Sequence, residues 1–255
     1  MVITLLTPKE IRLIEHAACR AWPAKHTKEY GGWLFRATDG ITRRANSVLP
    51  LGSPEGQNLE ASLEATRKFY RQHRLPVRFQ MTVASQPPEL EPFLERAGLI
   101  IDMRVKVLTA PLAEIFIHDP QIGIVVFGSP WKDWFAAYRD ASGFSKEQMT
   151  VREGIIERIT TEKACAAAIM DDQVVGIGLA VLDQEWLGLF SLITKERYRK
   201  RGVASTITQS LISWGLVRGA KWGYLQVEEE NIPAQKLYYG LGFTDAYSYW
   251  YRVET

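Results

Sequence analysis

The stretch ITKERYRKRGVASTITQSL, residues 193–211, places five basic side chains (Lys195, Arg197, Arg199, Lys200, Arg201) ahead of Gly202 and then turns small and apolar. Val203, Ile207, Leu211 and Trp214 recur at helical spacing and Gly219 follows, so a helix is expected over 203–218. The apolar run before the basic turn, 186–194, reads as a strand. A strand, a charged turn relaxed by glycine, and a helix together make a seat for a pyrophosphate. N–H groups in the first turn of a helix have no internal acceptor and carry partial positive charge. Gly202 lets the backbone come close and the small Ala204 leaves room for an anion, while the flanking Arg and Lys side chains add ionic contacts at the rim. The spacing is neither G-x-G-x-x-G nor the Gly-Lys-Ser/Thr of a nucleotide P-loop, so hydride and phosphoryl transfer find no support.

Upstream of this helix lie three apolar strand candidates, 164–170, 174–182 and 186–194, joined by Asp171-Asp172-Gln173 and Asp183-Gln184-Glu185. Such spacing predicts an antiparallel meander. Before it come a strand over 122–127, a helix over 131–141, and a capping box, Ser145-Lys146-Glu147-Gln148, that opens a helix toward 159. After it come a strand over 224–228, a short helix capped by Asn231 and stopped at Gly242, and a final strand over 243–253.

The first half begins with Thr7-Pro8-Lys9-Glu10, a cap, a first-turn proline and a glutamate placed to reach back, which predicts a helix to 21. Strands are expected over 33–36, 46–49, 78–83 and 103–108, and helices over 59–74 and 88–97. The segments LPVRFQMTVASQPPELEPFLERAGLI (75–100) and KWGYLQVEEENIPAQKLYYGLGFTD (221–245) share the order strand, loop, short helix, glycine. We therefore expect two related α/β units in tandem, 1–112 and 120–255. The first has Pro50-Leu51-Gly52-Ser53-Pro54 where the second has the basic turn.

The chain has 255 residues, with 31 Lys plus Arg against 29 Asp plus Glu and a net charge of +2. That balance argues against a general nucleic-acid or membrane-surface protein, so an anion bound at the local basic turn should be small. Cys19 and Cys165 form no metal-ligand spacing and suit a reducing cytosol. The N-terminal sequence shows no signal peptide and the chain no membrane span, so a cytoplasmic protein is expected. His16, His26, His73 and His118 stand apart, and no metal site is expected. The alternation in Tyr247-Ser248-Tyr249-Trp250-Tyr251 suits sheet packing first and an acceptor lining second.

Arg199-Lys200-Arg201-Gly202-Val203-Ala204 resembles the Arg/Gln-x-x-Gly-x-Gly/Ala motif of the GNAT superfamily of acyl-CoA-dependent N-acyltransferases. Gly188-Leu189-Phe190-Ser191-Leu192-Ile193-Thr194 is similar to that family's central strand. Asn231-Ile232-Pro233-Ala234, Leu237-Tyr238 and Gly242-Phe243 resemble its second signature, in the same order. The resemblance covers about 122–253, and the first half, with Trp33 and Asn46, looks like the degenerate partner of two-domain members. It implies an α/β fold of two GNAT-like units, each a mixed, mostly antiparallel twisted sheet flanked by helices. It also implies acetyl-CoA as cosubstrate and no metal.

Roles follow from the resemblance. Leu192, Ile193 and Thr194 would hold the pantetheine arm, and amides from Arg199 to Ala204 the pyrophosphate. Asn231 would contact the cofactor, and Tyr238 would protonate the departing thiolate. The chemistry agrees: a tyrosine, ordinarily titrating near pH 10, gives its proton to a thiolate without ionising at neutral pH. Tyr238 follows Asn231 by about two helical turns, so both can face a cleft splayed open between the strands ending at Thr194 and Glu228. Exposed amides at the splay could stabilise an oxyanion. Glu228 is the candidate base, directly or through water, with Glu185 second and solvent third. Glu228 also belongs to the run Glu228-Glu229-Glu230, which a solvated surface explains.

The first expectation is therefore transfer from acetyl-CoA to a primary amine of a small molecule or protein, by direct attack, since no Ser or Cys stands beside a base. The rivals are a non-catalytic acyl-CoA sensor and a small nucleic-acid-binding module. The balanced charge and lack of interleaved aromatics around residue 199 speak against the last.

Overall fold

The computed structural model describes residues 6–53, 58–118 and 122–254. Pro54 of the first-half loop, and Asp119 and Pro120 of the link, lie outside the described residues. The chain divides into two compact units, Met1–Lys106 with Tyr247–Thr255, and Val107–Ala246. None of the helices among the described residues is long and apolar enough to cross a membrane.

In the first unit α1 (Pro8–Ala21) starts at the expected capping box, with Thr7 N donating to Glu10 Oε2 at 2.7 Å and Glu10 N to Thr7 Oγ1 at 3.3 Å. β1 (His26–Tyr30), β2 (Trp33–Ala37) and β3 (Leu49–Pro50) form an antiparallel sheet. β1 has no counterpart in the sequence reading, because HTKEY is polar and exposed and carries no apolar alternation. The strand expected over 46–49 is also corrected. Asn46 Oδ1 accepts from Thr38 N at 2.6 Å and Gly40 N at 3.2 Å, and its amide donates to Thr42 O, so Asn46 clamps a turn; Val48 makes an isolated parallel bridge with Phe79, and the strand itself starts at Leu49. α2 (Leu59–Gln72), β4 (Arg78–Thr82) and α3 (Leu90–Arg96) follow. Trp33, Phe35, Leu63, Phe69, Tyr70, Phe79 and Leu94 make this unit's core.

β5 (Ile100–Pro111) carries the chain into the second unit, which continues with β6 (Gly123–Phe127), α4 (Lys132–Ser142), α5 (Lys146–Glu157), β7 (Glu162–Met170), β8 (Gln173–Asp183) and β9 (Trp186–Thr194). α6 (Val203–Val217), β10 (Trp222–Glu228) and α7 (Ile232–Gly240) complete it. Its strands lie in the order β10-β9-β8-β7-β6, with β10 and β9 parallel and the others antiparallel. The expected meander is thus present, and so is the mixed, mostly antiparallel sheet. Ala164, Cys165, Ala166, Ala167 and Ala168 of β7 are all buried, and their small side chains leave room for packing. Trp134 of α4 anchors there, its indole N–H donating to Ala166 O at 3.0 Å.

β11 (Thr244–Val253) ends the chain, pairing antiparallel with β4 from Tyr249↔Thr82 to Val253↔Arg78. Residues 247–255 therefore count with the first unit, although the sequence reading groups them with 120–246. Arg252 locks them in place, donating to Glu91 Oε1 at 2.8 Å and to Leu99 O at 2.8 Å. Tyr249 and Tyr251 are buried, so packing accounts for these aromatics.

Candidate functional site

Two glycines of β8 fix where α6 begins. A Cβ at Gly176 would stand 2.7 Å from Val203 Cγ1, and one at Gly178 would stand 2.7 Å from Ile207 Cγ2. Bare backbone therefore lets the first turns of α6 lie close on the sheet. Val203, Ile207 and Leu211 are buried against it, each worth about 1.5–3 kcal/mol relative to exposure.

That packing brings the helix N-terminus to the end of β9. Gly202 is the N-cap, with φ 79°, and no side chain caps it. A Cβ at Gly202 would meet nothing within 4 Å, so the approach to the first-turn amides is open. Lys200 is also left-handed, with φ 60°. These amides, with open space over Gly202, fit an anionic diphosphate.

The five basic side chains do not all face that space. Arg197 donates to Gln173 Oε1 at 2.8 Å and lies 4.7 Å over the Tyr198 ring. Arg201 lies over the same ring at 5.5 Å, while Lys195 pairs with Asp140 at 3.7 Å. Arg199 Nε donates to Thr194 O at 3.3 Å, tying the turn to the strand end. Tyr198 is itself buried and donates to Asp171 Oδ2 at 3.2 Å. Much of the charge therefore braces the turn.

β9 and β10 pair from Trp222↔Trp186 to Leu225↔Leu189 and no further, although β9 runs on to Thr194 and β10 to Glu228. Their ends are thus splayed. On the other side of β9 the ladder skips from Leu179↔Phe190 to Ile177↔Ile193, so Ser191 and Leu192 face Gly178 alone. This is a bulge, and Ser191 has φ 49°. Ile193 and Thr194 return to the ladder opposite Ile177 and Gly176. Thr194 Oγ1 is buried with no hydrogen-bond partner among the described residues.

At the end of β10, Asn231 N donates to Glu228 O at 2.9 Å, and Asn231 Oδ1 accepts from Ala234 N at 3.2 Å. Asn231 thus caps α7. Glu228 and Asn231 are exposed neighbours. Tyr238 on α7 is half-buried, edge-on to Phe243 at 6.2 Å, and burial pushes its hydroxyl up to about 12. It has no hydrogen-bond partner among the described residues and stays protonated at neutral pH. Glu185 stands away from the splay. It pairs with Lys221 beside the start of β9, roughly 25 Å along the strand from Thr194.

Sequence reasoning missed a polar group on α4 and α5. Tyr138 Oη lies 3.2 Å from Ser191 Oγ, and Arg152 Nη1 lies 3.5 Å from Tyr138 Oη. No local motif marks it; the signal was Tyr138 one turn after Trp134 on the same face of α4, with Phe144 just past the helix end. The two glycines of Val175-Gly176-Ile177-Gly178 were the other unread signal. His26 and His73, expected to stand apart, stack at 4.9 Å. No group of three or more His, Cys, Asp or Glu that could hold a metal occurs among the described residues.

A family model described as the C-terminal region of the probable histone acetyltransferase Rv0428c matches residues 8–252. The chain is 30% identical over 250 residues to the uncharacterized N-acetyltransferase YobR of Bacillus subtilis, covering 96% of this chain and 99% of that protein. It is 25% identical over 220 residues to the probable histone acetyltransferase Rv0428c of Mycobacterium tuberculosis, covering 86% of this chain and 66% of that one. Among solved structures, a GCN5-related N-acetyltransferase from Kribbella flavida superposes with a TM-score of 0.72 at 13% identity, covering 98% and 96% of the two chains. A tandem GNAT protein from the clavulanic acid biosynthesis pathway gives 0.63 at 12% identity, covering 79% and 72%. At these identities the two structures speak for the fold alone.

Proposed function

The chain belongs to the Rv0428c C-terminal acetyltransferase family of the GNAT superfamily and is an N-acetyltransferase, and from that premise we propose that it moves an acetyl group from acetyl-CoA to a primary amine by direct attack. The observation that carries this is the splay of β9 and β10 beyond Leu189 and Leu225, opening beside the uncapped N-terminus of α6. The second unit would be catalytic and the first a degenerate GNAT-like partner.

Acetyl-CoA supplies an activated thioester and a diphosphate by which it can be held. The amides from Lys200 to Ala204 would bind that diphosphate, with Lys200 at the rim, while the Arg199 amide already donates to Glu196 O at 3.1 Å. Strand segment Leu192–Ile193–Thr194 would offer main-chain groups to the pantetheine arm as an added strand would. The unpartnered Thr194 hydroxyl supports this, being a buried polar atom that a ligand could satisfy. Asn231 would contact the cosubstrate while capping α7.

Tyr238 would donate its proton to the leaving thiolate. Its raised titration suits that role, because a hydroxyl that stays protonated remains a donor throughout the neutral range. Glu228, solvent-exposed at the mouth of the splay, would take the amine proton through water. A covalent enzyme intermediate is not needed: Cys165 is buried, with its thiol pushed up to about 12, which removes the thiolate a nucleophile requires.

Calorimetric titration with acetyl-CoA tests the seat, and release of free thiol in the presence of an amine panel tests the chemistry. Micromolar binding with amine-dependent thiol release is expected. Absence of binding would remove the proposal, and binding without turnover by any amine would leave a sensor in its place.

A further inference from the structure

We infer that the acceptor carries a carboxylate close to its reacting amine, as an amino acid does, and that Arg152 is the residue that recognises it; this rests on the acetyltransferase reading above. Arg152 stands on α5 with its guanidinium 4.0 Å over the Phe144 ring. Its Nε is buried and has no hydrogen-bond partner among the described residues. Its one hydrogen bond there, Nη1 to Tyr138 Oη at 3.5 Å, is long, and no carboxylate among the described residues pairs with it. The residue is only partly buried, but its Nε is shut off from water without a partner, and a buried donor left unpaired is costly unless a ligand satisfies it. A planar fork with spare donors matches a carboxylate.

The position gives that anion a purpose. Arg152 donates to Tyr138 Oη, so the Tyr138 hydroxyl proton is free to go to Ser191 Oγ, 3.2 Å away. Ser191 is the left-handed residue of the β9 bulge, at the splayed end where the thioester would lie. The cation therefore stands about two hydrogen-bond lengths from the bulge. That reach suits an amine and a carboxylate separated by one or two carbons, and it is too short for a long acceptor whose charge lies far from its amine. Arg152 is the one cation in this cluster among the described residues, which matches a singly charged carboxylate better than a phosphate dianion.

The test compares each free amino acid with its own amide. Thiol release is measured with glycine, L-alanine, L-methionine and L-phenylalanine, their amides, phosphoethanolamine and a lysine-rich histone-tail peptide. At least one acid should exceed its amide by about tenfold or more in kcat/KM, the gap a lost charged hydrogen bond produces. Arg152→Met should close the gap by raising the KM of the acid, and Arg152→Lys, which keeps charge without the fork, should leave part of it. Calorimetry with acetyl-CoA verifies that each variant is folded. Equal use of acid and amide, a gap that survives in Arg152→Met, preference for phosphoethanolamine or the peptide, or no turnover of any amino acid would each overturn the inference. Failure of the wild-type protein to bind acetyl-CoA would instead overturn the functional reading on which it rests, and the inference with it.

Discussion

Val203 rests on Gly176: a Cβ added to the glycine would come within 2.7 Å of Val203 Cγ1 and 3.1 Å of Ile193 O, so the first turn of α6 and the end of β9 close over the same bare stretch of β8. Val203 is buried and β-branched, so its Cγ1 has no other rotamer to swing into, and Ile193 O is backbone. Gly176→Ala should therefore push α6 outward and cost about 1–3 kcal/mol, the usual penalty of overpacking. Urea denaturation measures the cost. Because the displaced element carries the anion seat, acetyl-CoA affinity should fall together with stability. A variant of unchanged stability and affinity would show that α6 is not held by this contact.

Gly202 separates the two effects. Its Cβ direction is open, so nothing is overpacked there, and aspartate tolerates its left-handed backbone better than most residues. An acidic side chain at a helix N-terminus is favourable to the helix itself, by about 0.3–1 kcal/mol. The same charge repels a diphosphate. Gly202→Asp should thus keep the midpoint of thermal unfolding within a few degrees while weakening acetyl-CoA binding more than about tenfold. Retained affinity would mean that the diphosphate is bound elsewhere.

For Tyr238 the prediction concerns pH. Burial favours the neutral phenol and raises its titration to about 12, against about 10 for an exposed tyrosine. As a proton donor it should stay competent over the whole neutral and mildly alkaline range, so kcat should rise as the amine deprotonates and show no Tyr238-dependent fall below about pH 10. Tyr238→Phe should lower kcat by about 10²–10⁴ with acetyl-CoA affinity unchanged. The linkage has a defined sign as well. The raised titration contributes stability that is fully present below about pH 10 and is lost as pH rises toward 12, because the unfolded phenol ionises first.

Most of the second unit was legible in the sequence, and for a physical reason. Its strands are apolar runs between Asp- and Gln-rich turns, and β9 was bounded at 186 and 194, as found. The basic turn and Asn231 also stand where local patterns put them, because caps and helix starts are set by neighbouring residues. What stayed hidden depends on partners far along the chain. The bulge at Ser191 is a mismatch between two strands and leaves no mark in either one alone. The membership of 247–255 in the first unit comes from pairing with Arg78–Thr82, about 170 residues away in sequence. Asn46 reads as part of a strand because its three side-chain hydrogen bonds go to backbone four to eight positions earlier. Tyr138 and Arg152 were passed over because helical spacing says which residues face inward, not which hydroxyl they reach.

The last prediction concerns Glu15, which is fully buried in the first unit. Its carboxylate accepts from Tyr247 Oη at 2.8 Å and from Gln80 Nε2 at 2.7 Å, tying α1 to β4 and to the final segment of the chain. Desolvation is the largest influence and raises its titration, although those hydrogen bonds and the nearby Arg36 and Arg44 work in the opposite direction. A carboxyl group whose folded titration is raised gives stability that is fully present below its unfolded value, near pH 4.5, and lost as pH rises through the folded value. The wild-type first unit should therefore lose stability as pH rises above about 4.5 and Glu15 ionises in the folded state. Glu15→Gln keeps an acceptor for Gln80 and a donor for Tyr247 but cannot ionise, so it should flatten that pH dependence. Thermal unfolding of both proteins over a series of pH values from about 4.5 upward measures it. A slope that persists unchanged in Glu15→Gln would assign the pH dependence to other groups. Tyr247→Phe, which strips one donor from the buried carboxyl group, should cost about 1–3 kcal/mol, and more on the alkaline side of Glu15's titration, where the group is charged, than on the acid side.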